Sequence, residues 1–183
     1  MPYLDDMKRL LRLDETVYAE LATRQRALRY TVVNVALLGL IYGFATLMFS
    51  RQMLARSGAP EVHYNALLIV MVGISVAFLM HGATALFIWV FCRALGGCPQ
   101  FMPPYLNLGA AAIAVWPLAP LVALRQVMPP TVIVWAATLA AAGYALAAGY
   151  TAVRAVAGLS RGKMALCAVA TLFYAGCFLY LWT

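Results

Sequence analysis

Residues 66–91 read ALLIVMVGISVAFLMHGATALFIWVF, and this stretch decides the fold class. It contains no Asp, Glu, Lys or Arg, and its apolar residues do not alternate with polar ones. A helix of roughly 20 apolar residues crosses the hydrocarbon core of a bilayer, so a run of this length predicts a transmembrane helix. A transmembrane β-barrel is excluded, because its strands need alternating polar and apolar positions over about ten residues.

Four further apolar blocks predict an all-α, polytopic integral membrane protein with a bundle of five transmembrane helices. The chain of 183 residues is 65% hydrophobic and 10% charged, whereas a soluble domain is about 45 to 50% apolar and about 25% charged. The predicted domains are a cytoplasmic amphipathic N-terminal segment, 1–27, and a transmembrane domain, 28–183. The predicted spans are residues 28–49, 66–91, 105–124, 131–153 and 164–182.

Residues 3–27 form the one water-compatible stretch. Apolar and basic residues recur in it at near-helical spacing, which predicts an amphipathic helix, or two short ones, lying on the membrane surface. Asp14 is the expected N-cap of a second helix that starts at Glu15, because a short acidic side chain accepts hydrogen bonds from the free amides of a first turn. The alternative is a solvated tail with scattered apolar residues.

The basic residues predict the orientation. With a cytoplasmic N-terminus, ten of the 13 Lys and Arg side chains fall on the cytoplasmic side, and Arg51, Arg56 and Arg125 fall on the other. This bias follows the positive-inside rule, and five spans then leave Thr183 outside. We therefore expect a bacterial inner membrane protein with a periplasmic C-terminus. Orientation also explains the formal charge of +7, so no nucleic acid is expected as a partner.

Ionisable residues are scarce inside the predicted spans. All six acidic residues lie outside them, and His81 is the one ionisable side chain at depth. His81, Thr84 and Asn34 are the candidate polar intramembrane site, since a lone histidine there can bind a metal, relay protons or hold a quinone or lipid headgroup. The structural alternative is a neutral imidazole hydrogen-bonded to another helix, through Asn34. No metal, cofactor or catalytic residue is predicted, because a functional metal site needs more than one ligand.

Small residues mark candidate positions for helix packing. Gly39 and Gly43 in the first span, and Gly143 and Ala147 in the fourth, recur at four-residue spacing and allow helices to approach closely. We expect some of these faces to contact another chain. The fourth span has small residues on nearly every face, and is expected to be the central helix of the bundle.

The third span contains the candidate kink, at Pro117 and Pro120. Each proline removes an amide donor and clashes with the preceding turn, so the helix is expected to bend there. A break of this kind builds a substrate site in some transporters and serves packing in other proteins.

The loop after the second span is the candidate cytoplasmic docking loop. It contains Arg93, Gly96, Gly97 and Phe101, and the paired glycines permit a tight turn. There is no strand before these glycines and no Gly-Lys-Ser/Thr after them, so the loop is not a phosphate-binding loop.

The sequence resembles bacterial members of the Yip domain family, the Ypt-interacting integral membrane proteins. The residues that carry the resemblance are HGA at 81–83, RALGG at 93–97, Phe101, and an apolar span interrupted at Pro117. Gly109 and Pro117 match the family's Gly and Pro of the third span loosely, and the eukaryotic Tyr-Gly-Pro signature before the first span is absent. The resemblance implies a small protein with five spans and a cytoplasmic N-terminus.

This resemblance covers the chain from about Arg24 to its end and implies no catalytic residues. Eukaryotic relatives bind small GTPases largely through long N-terminal regions, and this N-terminal segment is too short for that role to be carried over. The sequence therefore predicts a non-enzymatic scaffold or accessory subunit that binds membrane lipid and another membrane protein, or itself. The alternatives are a small transporter or channel component, and a quinone-linked or redox membrane subunit.

Overall fold

The computed structural model describes residues 2–23, 27–57, 65–129 and 131–182. Every regular element in these ranges is helical. The elements in chain order are α1 Pro2–Leu11, α2 Glu15–Thr23, α3 Ala27–Ser57, α4 Ala66–Ala94, α5 Met102–Ala111, a short 3₁₀ helix Ala112–Val115, α6 Leu118–Val127, α7 Val132–Ala157 and α8 Arg161–Trp182.

Helices α3, α4 and α7 are long and apolar enough to cross a membrane. The segment from α5 to α6 passes the same test as a pair, but it bends by 65° at its break, so the described residues hold four candidate spans if the pair counts as one. These apolar helices indicate a membrane protein. They lie where the sequence predicted spans, although α3 continues past its predicted end to Ser57.

The bend in the third apolar segment is formed by the 3₁₀ helix and two following residues. The amide of Trp116 donates to the carbonyl of Ile113, 3.2 Å away, which closes the last 3₁₀ turn. Pro117 is the N-cap of α6, and Pro120 lies in the first turn of α6, where an amide donor is not needed. The change in direction therefore lies at the break between Val115 and Leu118, which contains Pro117 and directly precedes the turn that holds Pro120.

Three glycines bring α3 and α4 into backbone contact. A Cβ atom built on Gly39 lies 2.5 Å from the Cα of Ile74, and one built on Gly43 lies 2.9 Å from the Cα of Val70. On the opposite helix, a Cβ on Gly73 lies 2.8 Å from the carbonyl oxygen of Gly39. The close approach expected at Gly39 and Gly43 is thus made to α4 of the same chain. These two glycines are therefore not available to contact a second chain.

The central helix is α3, and the expectation that the fourth span holds this place is wrong. One third of the most apolar stretch of α3 is buried, at 33%, compared with 11% for α7. The small residues of α7 gave a misleading signal, because small side chains permit close packing but do not ensure that another helix of the same chain lies against them.

The N-terminal segment forms two helices that pack on the bundle. Leu10, Val17, Tyr18 and Leu21 are fully buried, and they share a core cluster with residues of α5, the 3₁₀ helix and α7. The sequence predicted that this apolar face lies against lipid headgroups at the membrane surface. Part of that face contacts protein, since α1 packs on α5 and the 3₁₀ helix and α2 packs on α5 and α7. Leu4 and Leu11 stay exposed, so contact of the segment with the membrane surface stays a prediction.

A polar cluster holds the turn between α1 and α2. Asp14 accepts hydrogen bonds from the hydroxyl of Thr16 at 2.6 Å, from the amide of Thr16 at 3.0 Å and from Arg9 at 3.0 Å. The bonds from Thr16, together with Arg9, hold the pKa of Asp14 below its ordinary value. Leu13 takes a positive φ of 59°, which reverses the chain direction ahead of Asp14.

Candidate functional site

Asn34 joins three separate segments of the chain. Its side-chain amide donates to the carbonyl of Ala110 at 3.0 Å, and its side-chain oxygen accepts from the hydroxyl of Tyr3 at 2.7 Å. Its backbone carbonyl accepts from the indole of Trp116 at 3.0 Å. Asn34 is fully buried, so it fastens α1 and the bent α5–α6 segment to α3 from a position shielded from water, and its bond to Ala110 is buried as a whole.

Two more buried polar side chains were not among the candidates from the sequence. Asn107 on α5 donates to the carbonyl of Ala152 on α7 at 3.0 Å, and Thr31 on α3 donates to the carbonyl of Leu106 on α5 at 3.0 Å. Polar residues inside apolar spans are the signal that could have found them. With Asn34 they form a polar seam, defined here as Thr31, Asn34 and Asn107, which ties α5 to the helices on either side.

Gly109 explains why α5 lies so close to α3. A Cβ atom at Gly109 would overlap the side chain of Thr31, so a side chain at this position would push α5 away from α3. This contact lies between the hydrogen bonds of Thr31 and Asn34 to α5, and the three features act on the same helix pair.

His81, Thr84 and Asn34 do not form a common site. The ring of His81 packs against Tyr105 with 4.5 Å between ring centroids, and its Nε2 has no hydrogen-bond partner among the described residues. The side chain of Asn34 is engaged elsewhere, by Ala110 and Tyr3. The predicted hydrogen bond between His81 and Asn34 is therefore wrong, and His81 contacts another helix, α5, through the ring of Tyr105 instead.

An aromatic ladder continues from His81 along the α4–α5 boundary. Tyr105 lies 5.4 Å from Phe101, and Phe101 lies 5.7 Å from Trp89, measured between ring centroids. The guanidinium of Arg93 lies 5.4 Å from the centre of the Trp89 ring, at the end of the ladder. Such contacts favour offset or edge-on rings and a cation over an aromatic face, and they fix the docking loop to α4.

The glycines of the candidate docking loop end α4. Gly96 has a positive φ of 85°, its amide bonds to the carbonyl of Arg93 at 3.0 Å, and the amide of Gly97 bonds to the carbonyl of Cys92 at 2.9 Å. This is a Schellman ending, in which a left-handed residue satisfies the last carbonyls of a helix. A Cβ on Gly97 would lie 2.9 Å from the carbonyl oxygen of Ala157, so close packing on the end of α7 also requires glycine here.

The docking loop is also held by the connection between α7 and α8. The amide of Cys98 donates to the carbonyl of Ala157 at 3.0 Å, and the ammonium of Lys163 donates to the carbonyl of Leu95 at 2.7 Å. Arg93 remains exposed, and donates to the carbonyl of Pro99 at 3.3 Å. The loop is thus a fixed surface, and docking of a partner on it stays a prediction.

One row of small residues on α7 faces outward. Gly143 and Ala147 are exposed, and so are Ala140 and Ala136, one and two turns before Gly143 on the same side of the helix. No described heavy atom of a neighbouring segment lies within 4 Å of a Cβ built on Gly143. These four residues are called the α7 small face below.

The described residues hold no group of three or more His, Cys, Asp or Glu side chains that could bind a metal ion. Comparison of the chain with protein-family models, curated proteins and solved structures found no match. The resemblance to the Yip domain family therefore stays a prediction, and the geometry of the chain itself must carry any proposal about function.

Proposed function

We propose that the chain is a non-enzymatic membrane scaffold or accessory subunit that crosses the bilayer five times, with its N-terminus in the cytoplasm, and binds a helix of another membrane protein. The observation that carries the proposal is the exposed α7 small face. No other described helix packs against it at Gly143.

The antiparallel alignment with α7 supports a full crossing by the bent α5–α6 segment. Cys98, just before α5, bonds to Ala157 at the end of α7, and Arg125 near the end of α6 lies 3.9 Å from the ring centre of Trp135 near the start of α7. The stretch of α7 between these contacts is about 33 Å long at about 1.5 Å per helical residue. The hydrocarbon core is about 30 Å thick, so this length favours a broken span over a re-entrant loop.

The alignment of α8 along α4 supports the fifth crossing. Lys163 at the start of α8 bonds to Leu95 at the end of α4. Further along, the ring of Tyr174 on α8 stacks on Phe87 of α4 with 4.5 Å between centroids. These two contacts cover about 16 Å of α8 at about 1.5 Å per helical residue, and we propose that the helix continues in the same direction through the bilayer.

The α7 small face supports binding of another helix. Lipid chains pack against any apolar helix, so small residues that face lipid gain little, whereas against a second helix they allow backbone approach and many dispersion contacts. The chain demonstrates this use at Gly39 and Gly73, where two backbones touch. Gly143 offers the same kind of surface without a partner in the described residues.

A small transporter or channel component is the alternative, and the 65° break in the third apolar segment favours it. Three facts weigh against a substrate site at the break. The indole of Trp116 is bonded to Asn34, the carbonyl of Ile113 accepts from Trp116, and the buried side chains of α1 and α2 pack beside the 3₁₀ helix. A break filled in this way favours a packing role.

Gly143→Leu tests the proposed function, with Gly82→Leu as the matched control. Both glycines lie in apolar helices and have open space at the Cβ position. We expect Gly143→Leu to weaken the association of the chain with its partner by about tenfold, and Gly82→Leu to leave it unchanged. Size measurements in mild detergent and crosslinking in native membranes report the association.

The same measurements define the results that count against the proposal. A wild-type chain that is monomeric in mild detergent and gives no crosslinked neighbour in membranes contradicts scaffold binding, and favours the transporter alternative. Equal association of the wild type and both variants contradicts the placement of the interface on α7. A crosslinked product of twice the mass of the chain identifies the partner as a second copy.

A further inference from the structure

Two buried thiols meet where α8 packs on α4. The Sγ atoms of Cys92 and Cys167 lie 3.3 Å apart, although the residues are 75 positions apart in the sequence. Cys92 is 4% exposed and Cys167 is 3% exposed. Both are free cysteines, and they lie in a cluster formed by α4, α8 and the end of α7.

The separation of the two sulfur atoms is short enough for a covalent bond. A disulfide has an S–S distance of about 2.05 Å, so rotation of the side chains has to close about 1.3 Å. The spacing of cysteines in the sequence gives no indication of this pair, because it arises from the antiparallel alignment of α8 along α4. Cys98 is half-buried and Cys177 is exposed, so both differ in environment from the pair.

We propose that Cys92 and Cys167 are a dithiol that a peroxide oxidises to a disulfide, which locks α8 onto α4. The inference does not depend on the proposed scaffold function. Hydrogen peroxide is small and uncharged, so it is the class of oxidant best suited to a pair with this little exposure.

The chemistry balances with one peroxide for each disulfide. The thiolate of one cysteine attacks a peroxide oxygen, the O–O bond breaks, and water leaves after protonation, so that a sulfenic acid forms. The sulfur of the other cysteine then attacks the sulfenic sulfur, the S–O bond breaks, and a second water leaves. Two thiols have lost two electrons to hydrogen peroxide, and the disulfide returns to two thiols by exchange with an added dithiol.

Oxidation of the full-length Cys98→Ser/Cys177→Ser variant with hydrogen peroxide tests the proposal. This variant keeps only the two cysteines of the pair. We expect oxidation to lower the intact mass of the monomer by two hydrogens. The denatured protein should take two maleimide adducts before oxidation and none after oxidation. Treatment with dithiothreitol should restore the original mass and both adducts. Amide hydrogen exchange in α8 should slow by about tenfold or more in the oxidised form, because the crosslink opposes its separation from α4.

Cys92→Ala in the same background is the control. Its remaining thiol has no partner, so it should form a sulfenic acid that dimedone traps on denaturation, and hydrogen exchange in α8 should not slow. If the double variant does not fold, the wild-type chain is oxidised instead. Peptide mapping should then find the peptide of Cys92 linked by a disulfide to the peptide of Cys167. Two maleimide adducts that persist under peroxide, or disulfides that form only between chains, would overturn the proposal.

Discussion

Replacing Gly39 with leucine is expected to destabilise the protein by about 3 kcal/mol, because the substitution forces two helix backbones apart. A Cβ atom at this position lies 2.5 Å from the Cα of Ile74 and 2.9 Å from the carbonyl oxygen of Gly73, so its contacts are with backbone. A flexible side chain could rotate away from such an overlap, but the backbones of α3 and α4 can only separate. Separation removes dispersion contacts along the whole helix pair, and in a membrane those contacts supply much of the stability.

Thermal unfolding in detergent, followed by circular dichroism, measures this effect. Gly73→Leu should be destabilising to a similar degree, because Gly73 is on the opposite side of the same contact. The matched control is Gly82→Leu, a glycine of α4 with open space at its Cβ position, and its cost should stay within about 0.5 kcal/mol. If Gly39→Leu and Gly82→Leu melt at the same temperature, then α3 and α4 do not pack through their glycines.

Asn34→Leu is expected to cost about 1 to 3 kcal/mol and to loosen the attachment of α1 to the bundle. The substitution leaves the buried carbonyl of Ala110 without its donor and the hydroxyl of Tyr3 without its acceptor. Leucine is close to asparagine in size and suits an apolar helix. A loss of stability in this variant would therefore come from the missing hydrogen bonds. The bond from Trp116 goes to the backbone carbonyl of residue 34 and should survive.

Hydrogen exchange measures the loosening of α1, and thermal unfolding measures the loss of overall stability. Tyr3→Phe removes only the bond to α1, and should speed exchange in α1 with a cost of about 0.5 to 1.5 kcal/mol. Thr151→Val is the control, since its hydroxyl bonds within its own helix, to Ala147. Unchanged protection of α1 in Asn34→Leu would mean that Asn34 does not hold the N-terminal helices.

The apolar helices could be predicted from the sequence because the physics that defines them is local. The stretch 66–91 must be a helix in a bilayer whatever lies around it, and α4 covers it from Ala66 to Ala94. The position of a bend could likewise be predicted from Pro117, because a proline acts on its own helix. The depth and angle of that bend could not, since they depend on what packs beside it.

The N-terminal segment shows where local reasoning stops. An amphipathic helix buries its apolar face, but the sequence does not say whether lipid or protein covers that face. Tyr18 is completely buried against the bundle, and burial raises the pKa of its hydroxyl. That contact depends on small apolar residues of α5, the 3₁₀ helix and α7, which no pattern within residues 3–27 could reveal.

The roles of the candidate residues also depend on tertiary contacts that the sequence does not show. Gly39 and Gly143 belong to identical kinds of spacing motif, yet one touches a backbone at 2.5 Å and the other faces open space. His81 stands out in the sequence because it is ionisable, whereas Asn34 and Asn107, which are neutral, make the hydrogen bonds between helices. An ionisable residue is easy to recognise in a sequence, but the tertiary arrangement decides which side chains form hydrogen bonds between helices.

Five crossings of the bilayer are the central claim, and thiol labelling of two positions tests it most directly. One variant keeps Cys98 as its single cysteine, and a second has no native cysteine and carries one appended after Thr183. If the bent α5–α6 segment crosses the membrane, three crossings separate these positions, and they lie on opposite sides. If that segment is a re-entrant loop, only two crossings separate them.

With five crossings, a membrane-impermeant maleimide should label the appended cysteine in intact cells, and should label Cys98 only in inverted vesicles. Labelling of both positions from the same side would contradict the five-span topology, because α5–α6 would then enter and leave the bilayer on one side.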